Sequence, residues 1–240
     1  MLGFSPSKMV FSTSFPSFNI LSAFSFDLAT LTSKSMFYKS THFFLLRCMV
    51  KLSEAQTLLK ASGIGVPGKV ANTLEDALAM KRPLVLKADT DEHKTDKGLV
   101  FVSLTDDAEI REAFTKISNH APVFAQPMIK GEEIIVGIVN DPTFGKTIMF
   151  GAGGIFTELY KDTSFRSLPI TPRDAEAMVG ETQIGKIFSG FRGRTYPKKA
   201  MVDLLVAVGR LAIRGEFSEL DLNPVIVNEK GVWVVDVRMI

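Results

Sequence analysis

The chain has 240 residues, 46% of them hydrophobic and 22% charged, with a net charge of +2. That is enough to bury a sizeable core in one domain or two small lobes. The single cysteine, Cys48, excludes an intrachain disulfide and any cysteine-based metal site. There is no basic body to meet nucleic acid and no run of about 18 apolar residues to span a bilayer.

Residues 1–48 differ from the rest. They carry Lys8, Lys34, Lys39 and Arg47 against Asp27 alone, a net of +3 that leaves −1 for the remainder. They hold nine of the 19 phenylalanines and ten serines. No helical or strand period is sustained there, and Pro6 and Pro16 interrupt the segment. A cleaved targeting peptide, a secretory signal and an over-long reading frame that truly starts at Met49 are the competing explanations. The last is preferred, because Ser53-Glu-Ala-Gln56 reads as a capping box opening an amphipathic helix just after Met49. Residues 1–48 are therefore expected to be an unstructured extension or a misassigned start, and 49–240 the folded domain.

From there strands and helices alternate. Helices are expected at 53–61, at 73–80 after Thr73, at 105–117 after Thr105, at 172–179 and at 200–213. Thr171-Pro172 is a strong start signal, since proline at the first helical position loses no hydrogen bond. Strands are expected at 84–87, 98–104, 123–127, 133–140, 147–151, 156–161, 164–168, 218–227 and 232–239. Asn228-Glu-Lys-Gly231 reads as a hairpin turn. Short connections between neighbouring strands imply an α+β fold with mixed, largely antiparallel sheets.

Two segments carry the strongest chemical signal. Gly151-Ala-Gly-Gly-Ile-Phe-Thr-Glu-Leu-Tyr-Lys-Asp162 contains glycines that let the backbone approach something closely. Glu219-Leu-Asp-Leu-Asn-Pro224 places Glu219, Asp221 and Asn223 on alternate residues, hence on one face of a strand. Three hard oxygen donors there suit a magnesium–phosphate assembly, which argues for a nucleotide enzyme. Lys87 ends an apolar strand; an ammonium held over phosphates and a lysine in solvent both fit that pattern. His93, in a polar stretch, is either a solvated loop residue or an acid, base or phosphoryl acceptor. Gln126-Pro-Met128 and Gly131-Glu-Glu133 flank a turn whose backbone suits an adenine edge, with Glu133 placed for a ribose or a cation. Asp236 lies among valines in the last strand and needs a partner: a divalent ion shared with Asn223, or a salt bridge to Arg238 or a lysine.

Read in order, His-Lys-Thr-Asp-x-Gly at 93–98, Lys-Gly-x-Glu at 130–133, Asp-Pro-x-Phe-Gly at 141–145, Met-Phe-Gly-x-Gly-Gly-Ile-Phe-x-Glu at 149–158, Ser-Phe-Arg at 164–166 and Glu-Leu-Asp-Leu-Asn-Pro at 219–224 form a specific set. Over about 51–240 they resemble the ATP-grasp (beta) subunit of the ADP-forming acyl-CoA synthetases, particularly ADP-forming acetyl-CoA synthetase. The resemblance implies an ATP-grasp fold of two small α/β lobes. It implies interconversion of acyl-CoA, phosphate and ADP with free acid, CoA and ATP. It implies that Lys87 binds the nucleotide phosphates, that Gln126, Met128 and Glu133 contact ATP or ADP, and that Asn223 and Asp236 hold Mg2+. His93 is the implied phosphoryl relay, with Glu158 supporting the incoming phosphohistidine. The implied setting is cytoplasmic, with a CoA-binding alpha subunit in a heterotetramer and neither nucleic acid nor membrane as partner. A succinyl-CoA synthetase-like beta subunit and a non-catalytic nucleotide-binding subunit are the alternatives; His93 speaks against the first. The chain departs from the family pattern in a shorter connection between Lys87 and His93 and in a single glycine, Gly98, where a pair is usual.

Overall fold

The computed structural model describes residues 50–91, 98–154, 162–190 and 193–240. The expected extension at 1–48 and the strand expected at 156–161 fall outside these residues. A four-stranded sheet of β1 (Lys69–Ala71), β2 (Leu84–Ala88), β3 (Val100–Leu104) and β4 (Val123–Pro127) has the order β1-β4-β2-β3. The other sheet contains β5 (Glu132–Asp141), β6 (Gly145–Ala152), β7 (Thr163–Ser167), β8 (Leu220–Asn228), β9 (Gly231–Val234) and β10 (Arg238–Met239). Its order is β10-β8-β5-β6-β7, with β9 paired to β8. Every strand pair among the described residues is antiparallel, in keeping with the expected α+β fold with largely antiparallel sheets.

The helices are α1 (Leu52–Ala61), α2 (Leu74–Leu78), α3 (Asp107–Ser118), α4 (Pro172–Glu181) and α5 (Lys198–Arg214). A 3-10 turn spans Ile184–Ser189. The starts of α2 and α4 follow the local code. Thr73 and Asp76 form one capping box, Thr171 and Asp174 the other, with Pro172 in the first turn. Hydrogen bonds from Thr171 hold the Asp174 carboxyl below its ordinary range. Helix α3 begins later than Thr105: Asp106 is the cap and accepts the Glu109 N–H at 2.8 Å.

The start of α1 corrects the expected capping box. Lys51 occupies the cap position and its side chain caps nothing. Ser53 turns to Asp89, its N–H donating to Oδ1 at 3.0 Å and its hydroxyl to Oδ2 at 2.5 Å. Gln56 donates instead to the Val66 and Gly68 carbonyls at 2.8 and 2.9 Å. Both residues of the apparent box thus serve contacts distant in sequence. Strand β1 escaped the sequence reading because three residues are too short to show a period.

Burial follows from the layering. Leu84, Leu86 and Ala88 of β2 pack with Ile110, Ala113 and Ile117 of α3 in one core. The opposite face of the same sheet contributes Phe124, fully buried, to the core of the six-stranded sheet, to which residues of α1, α4 and α5 also belong. Strand β2 is therefore covered on both sides, which is why all of its residues are buried and none alternate. Burying a phenylalanine completely contributes about 2–3 kcal/mol, so Phe124 is a substantial tie between the two sheets. Among the described residues, no helix is long and apolar enough to cross a membrane.

The end of α5 is held by a side chain from the sheet. Lys146 of β6 donates to the Ala212 and Gly215 carbonyls at 2.6 and 2.7 Å, and its ammonium stands 5.1 Å from the Phe217 ring centroid. A cation at a helix C-terminus meets carbonyls that lack helical partners. Lys146→Met keeps the apolar stem and removes these bonds; it should cost about 1–3 kcal/mol, read as a lower urea midpoint with an unchanged slope.

Candidate functional site

The register between β2 and β4 places the first site residues. Val85 pairs with Gln126 and Lys87 with Phe124, so these four side chains share a face. Phe124 lies in the core of the six-stranded sheet, which shows where that face looks. Lys87 is only 6% exposed, and the solvent reading of this lysine is excluded. Its Nζ donates to the Val235 carbonyl at 2.9 Å and lies 3.4 Å from Asp236 Oδ1. A buried ammonium without oxygen partners would be strongly disfavoured; a carbonyl and a carboxylate meet it here.

Asp236 does not sit inside a continuous strand, as the pattern at 232–239 suggested. Strand β9 ends at Val234 and β10 begins at Arg238. The intervening segment buries Val235 and Val237 and leaves Asp236 half-buried beside Lys87. The ladder is interrupted because this segment satisfies side-chain demands from the other sheet: the Val235 carbonyl takes the Lys87 ammonium, while the Val235 N–H reaches the Pro224 carbonyl at 3.3 Å.

Strand β8 is irregular at the same level. Ile134 of β5 faces Val225 and Val136 faces Leu222. Two residues, Asn223 and Pro224, thus oppose Ile135 alone, which is a bulge. Before it, alternation holds: Leu220 and Leu222 are buried, while Asp221 lies part-exposed and Asn223 exposed on the other face. Asp221 pairs in register with Gly137 on one side and Arg238 on the other. Its Oδ1 is buried with no hydrogen-bond partner among the described residues, as is Arg238 Nε. Burial pushes the Asp221 carboxyl up to about 6; Arg238 opposes the shift and Asp236 reinforces it. Asp221 was visible in the sequence only as one of several oxygen donors. Its pairing with Arg238 comes from strand register and its nearness to Asp236 from the tertiary fold. Among the described residues, no group of three or more His, Cys, Asp or Glu is placed to hold a metal ion.

A second group of residues lies along β5. Glu133 pairs with Ile226, and Gly137, four positions on, with Asp221; that separation is roughly 13 Å along a strand. The Gly153 N–H donates to the Glu133 carbonyl at 2.8 Å. A Cβ on Gly153 would meet Glu133 backbone at 2.8 Å, and one on Gly154, whose φ is +63°, would meet Glu133 Oε2 at 2.6 Å. The glycines are required because β5 and the Glu133 carboxylate lie directly against them. The close approach inferred from these glycines is therefore to the protein's own Glu133, backbone for Gly153 and carboxylate for Gly154.

Gln126 is 3% exposed, and its Oε1 has no hydrogen-bond partner among the described residues. The Met128 N–H is taken by the Pro83 carbonyl at 2.8 Å, and its sulfur accepts the Ser103 hydroxyl at 3.2 Å. The structure thus brings Lys87 and Asp236 into contact, sets Gln126 on the Lys87 face, and holds Glu133 apart at Gly153–Gly154. His93 and Glu158 lie outside the described residues. A separate hollow beside His120, Asn72 and Phe114 opens at the end of α3, away from these residues.

A family model described as an ATP-grasp domain matches residues 47–240. The beta subunit of acetate–CoA ligase [ADP-forming] I from Pyrococcus furiosus is 39% identical over 207 residues, spanning 78% of this chain and 89% of that protein. The beta subunit of ligase II from the same organism is 38% identical over 210 residues, with the same coverage of both chains. Among solved structures, acetyl-coenzyme A synthetase 1 of Ca. Korarchaeum cryptofilum, in complex with coenzyme A, Ca-AMPCP and HgCl+, is 36% identical with a TM-score of 0.73. The match covers 81% of this chain and 93% of that one. The same enzyme with coenzyme A and Mg-AMPPCP, its phosphohistidine segment pointing towards the nucleotide binding site, is 37% identical with a TM-score of 0.70, covering 79% and 91%.

The raised Asp221 pKa has a stability consequence with a definite sign. The native state holds the proton more tightly than the unfolded chain, so this contribution is fully present below about pH 4 and is lost as pH rises through about 6. In buffer without nucleotide or magnesium, Asp221→Asn should be more stable than wild type at pH 7, by about 3 kcal/mol. The gap should close as pH falls from 6 to 4 in paired denaturant titrations.

Proposed function

The chain belongs to the ATP-grasp family, among the beta subunits of ADP-forming acetate–CoA ligases, and on that footing we propose that it is the nucleotide-binding subunit of an ADP-forming acid–CoA ligase. The observation that carries the site assignment is the buried Lys87 ammonium, held between the two sheets at the Val235 carbonyl and Asp236. A cation fixed at that junction beside carboxylate and amide oxygens suits a nucleotide di- or triphosphate with its metal. The relatives' designation as beta subunits implies a partner subunit. In this reading the partner is a CoA-binding alpha subunit, and the assembly is a heterotetramer in the cytoplasm.

The residues present fit magnesium. Asn223 and Asp236 supply hard oxygens, and a buried Asp221 oxygen without a hydrogen-bond partner among the described residues lies close in sequence. Magnesium takes one or two carboxylates and leaves its other positions to water and phosphate. When bound, the ion neutralises charge on the transferring phosphoryl group. Lys87 binds the phosphates from the opposite sheet. Gln126 and the Met128 carbonyl meet the adenine, since the Met128 N–H is already engaged. Glu133 orients the ribose or the arriving phosphohistidine segment.

The chemistry runs as a chain of transfers. On the partner, phosphate attacks the acyl thioester and CoA leaves as the thiol. The acyl phosphate then passes its phosphoryl group to a partner histidine, releasing the free acid. His93 takes the group through an imidazole nitrogen, breaking the partner's N–P bond, with Glu158 supporting the incoming segment. A terminal oxygen of ADP attacks that phosphorus, the His93 N–P bond breaks, and ATP forms. The neutral imidazole is the nucleophile, since its free nitrogen lone pair is what attacks phosphorus.

Asp236→Asn removes a charge with little change of shape. It should weaken Mg-ADP binding at least tenfold with the fold retained; unchanged affinity by calorimetry would rule out the metal role. His93→Ala, assayed with the partner subunit, should still bind nucleotide while ATP formation from acyl-CoA, ADP and phosphate collapses. Near-normal turnover would mean that the phosphoryl group passes directly from the partner histidine to ADP.

A further inference from the structure

Asp89 is a buried carboxylate to which the reaction above gives no task. It follows β2, is 3% exposed, and uses both oxygens on Ser53, accepting the N–H at Oδ1 (3.0 Å) and the hydroxyl at Oδ2 (2.5 Å). Its own N–H donates to the Pro122 carbonyl at 2.8 Å. The carboxylate thereby caps α1 from another element, taking the place that the Lys51 side chain leaves vacant. A negative charge at a helix N-terminus is favourable. A cap supplied from 36 residues away does something a local cap cannot: it ties two elements together.

Three hydrogen bonds make that tie part of a closed ring. Ser53 holds Asp89. Two residues back along β2, Lys87 holds the Val235 carbonyl at 2.9 Å. Four residues on from Val235, the Met239 carbonyl accepts the Val50 N–H at 3.0 Å, and Val50 leads back to Ser53 within three residues. The ring joins β2 of the four-stranded sheet, the start of α1, and the β9–β10 segment of the six-stranded sheet. A lysine has a four-carbon stem with many rotamers, so the position of its ammonium depends on how firmly its strand is rooted. The Asp89–Ser53 link roots that strand against the segment carrying Asp236.

We infer that Asp89 is a positioning residue for nucleotide binding, holding the end of β2 on α1 so that Lys87 stands at the Val235–Asp236 junction. The inference rests on the reading of Lys87 as a phosphate ligand. It accounts for the burial of a carboxylate next to the site, for the failed local capping box of α1, and for the use of Ser53 as a tertiary partner.

The test is a double-mutant cycle read by calorimetry with Mg-ADP on the full chain. Asp89→Ala should weaken binding about tenfold with the circular dichroism spectrum retained. Asp89→Asn should recover most of the loss, because its carbonyl accepts the Ser53 N–H and its amide donates to the Ser53 hydroxyl. Ser53→Ala, which keeps the backbone bond, should lie between wild type and Asp89→Ala, and it carries the same cycle if Asp89→Ala does not fold. In a Lys87→Ala background, removing Asp89 should cost little more. Unchanged affinity in Asp89→Ala would overturn the inference while leaving the Lys87 reading intact. An equal tenfold loss in both backgrounds would overturn it too, since Asp89 would then act on the fold at large. Wild-type affinity in Lys87→Ala would instead sink the reading of Lys87, and the inference with it.

Discussion

A lysine ammonium removed from water has to be met by oxygen, and the meeting of Lys87 with the Val235 carbonyl and Asp236 organises the rest of this molecule. The lysine belongs to one sheet and its partners to the other. For them to meet, β2 must run buried on both faces, and the last hairpin must interrupt its ladder over 235–237 to present a carbonyl and a carboxylate. Each of these features taken alone is unfavourable: a lysine in a buried strand, a break in a sheet, a carboxylate among valines. Together they satisfy one another.

The bulge at Asn223–Pro224 belongs to the same economy of charge. It ends the alternation of β8 just where the polar face is needed, leaving Asp221 packed between β5 and β10 and Asn223 turned outward. Asp221 is held against its preference, its carboxyl raised by burial and by the neighbouring Asp236 in spite of Arg238. Strain of this kind is common where a structure places charge for a ligand rather than for its own stability. The glycines at 153 and 154 show the opposite pattern: they are required by packing, since Glu133 and its backbone fill the space their side chains would need.

Much of the local structure was legible in the sequence. The helix starts at Thr73 and Thr171-Pro172 and the hairpin at 228–231 appear where their signals stand. The α+β class followed from the alternation of elements and the short turns, while the two-lobe arrangement came with the family resemblance. The ordered motifs pointed to the family that the comparisons support. Where the reading failed, a residue carrying a sound local signal was used elsewhere. Ser53 and Gln56 spelled a capping box but bond to Asp89 and to the Val66 and Gly68 carbonyls. The valines around Asp236 spelled a continuous strand that its partners break.

The sequence by itself determined what depends on neighbours within a turn or a hairpin: where most helices start, which strands are apolar, and which residues bear the charges and glycines of the site. Only the tertiary structure decided how those charges are matched. Lys87 and Val235 are 148 residues apart, Ser53 and Asp89 36, and no local pattern records such pairings. The physical reason is that a buried ionic group is stabilised by whatever oxygen or nitrogen the fold brings within about 3 Å, and that partner is fixed by the packing of whole sheets rather than by the residues on either side.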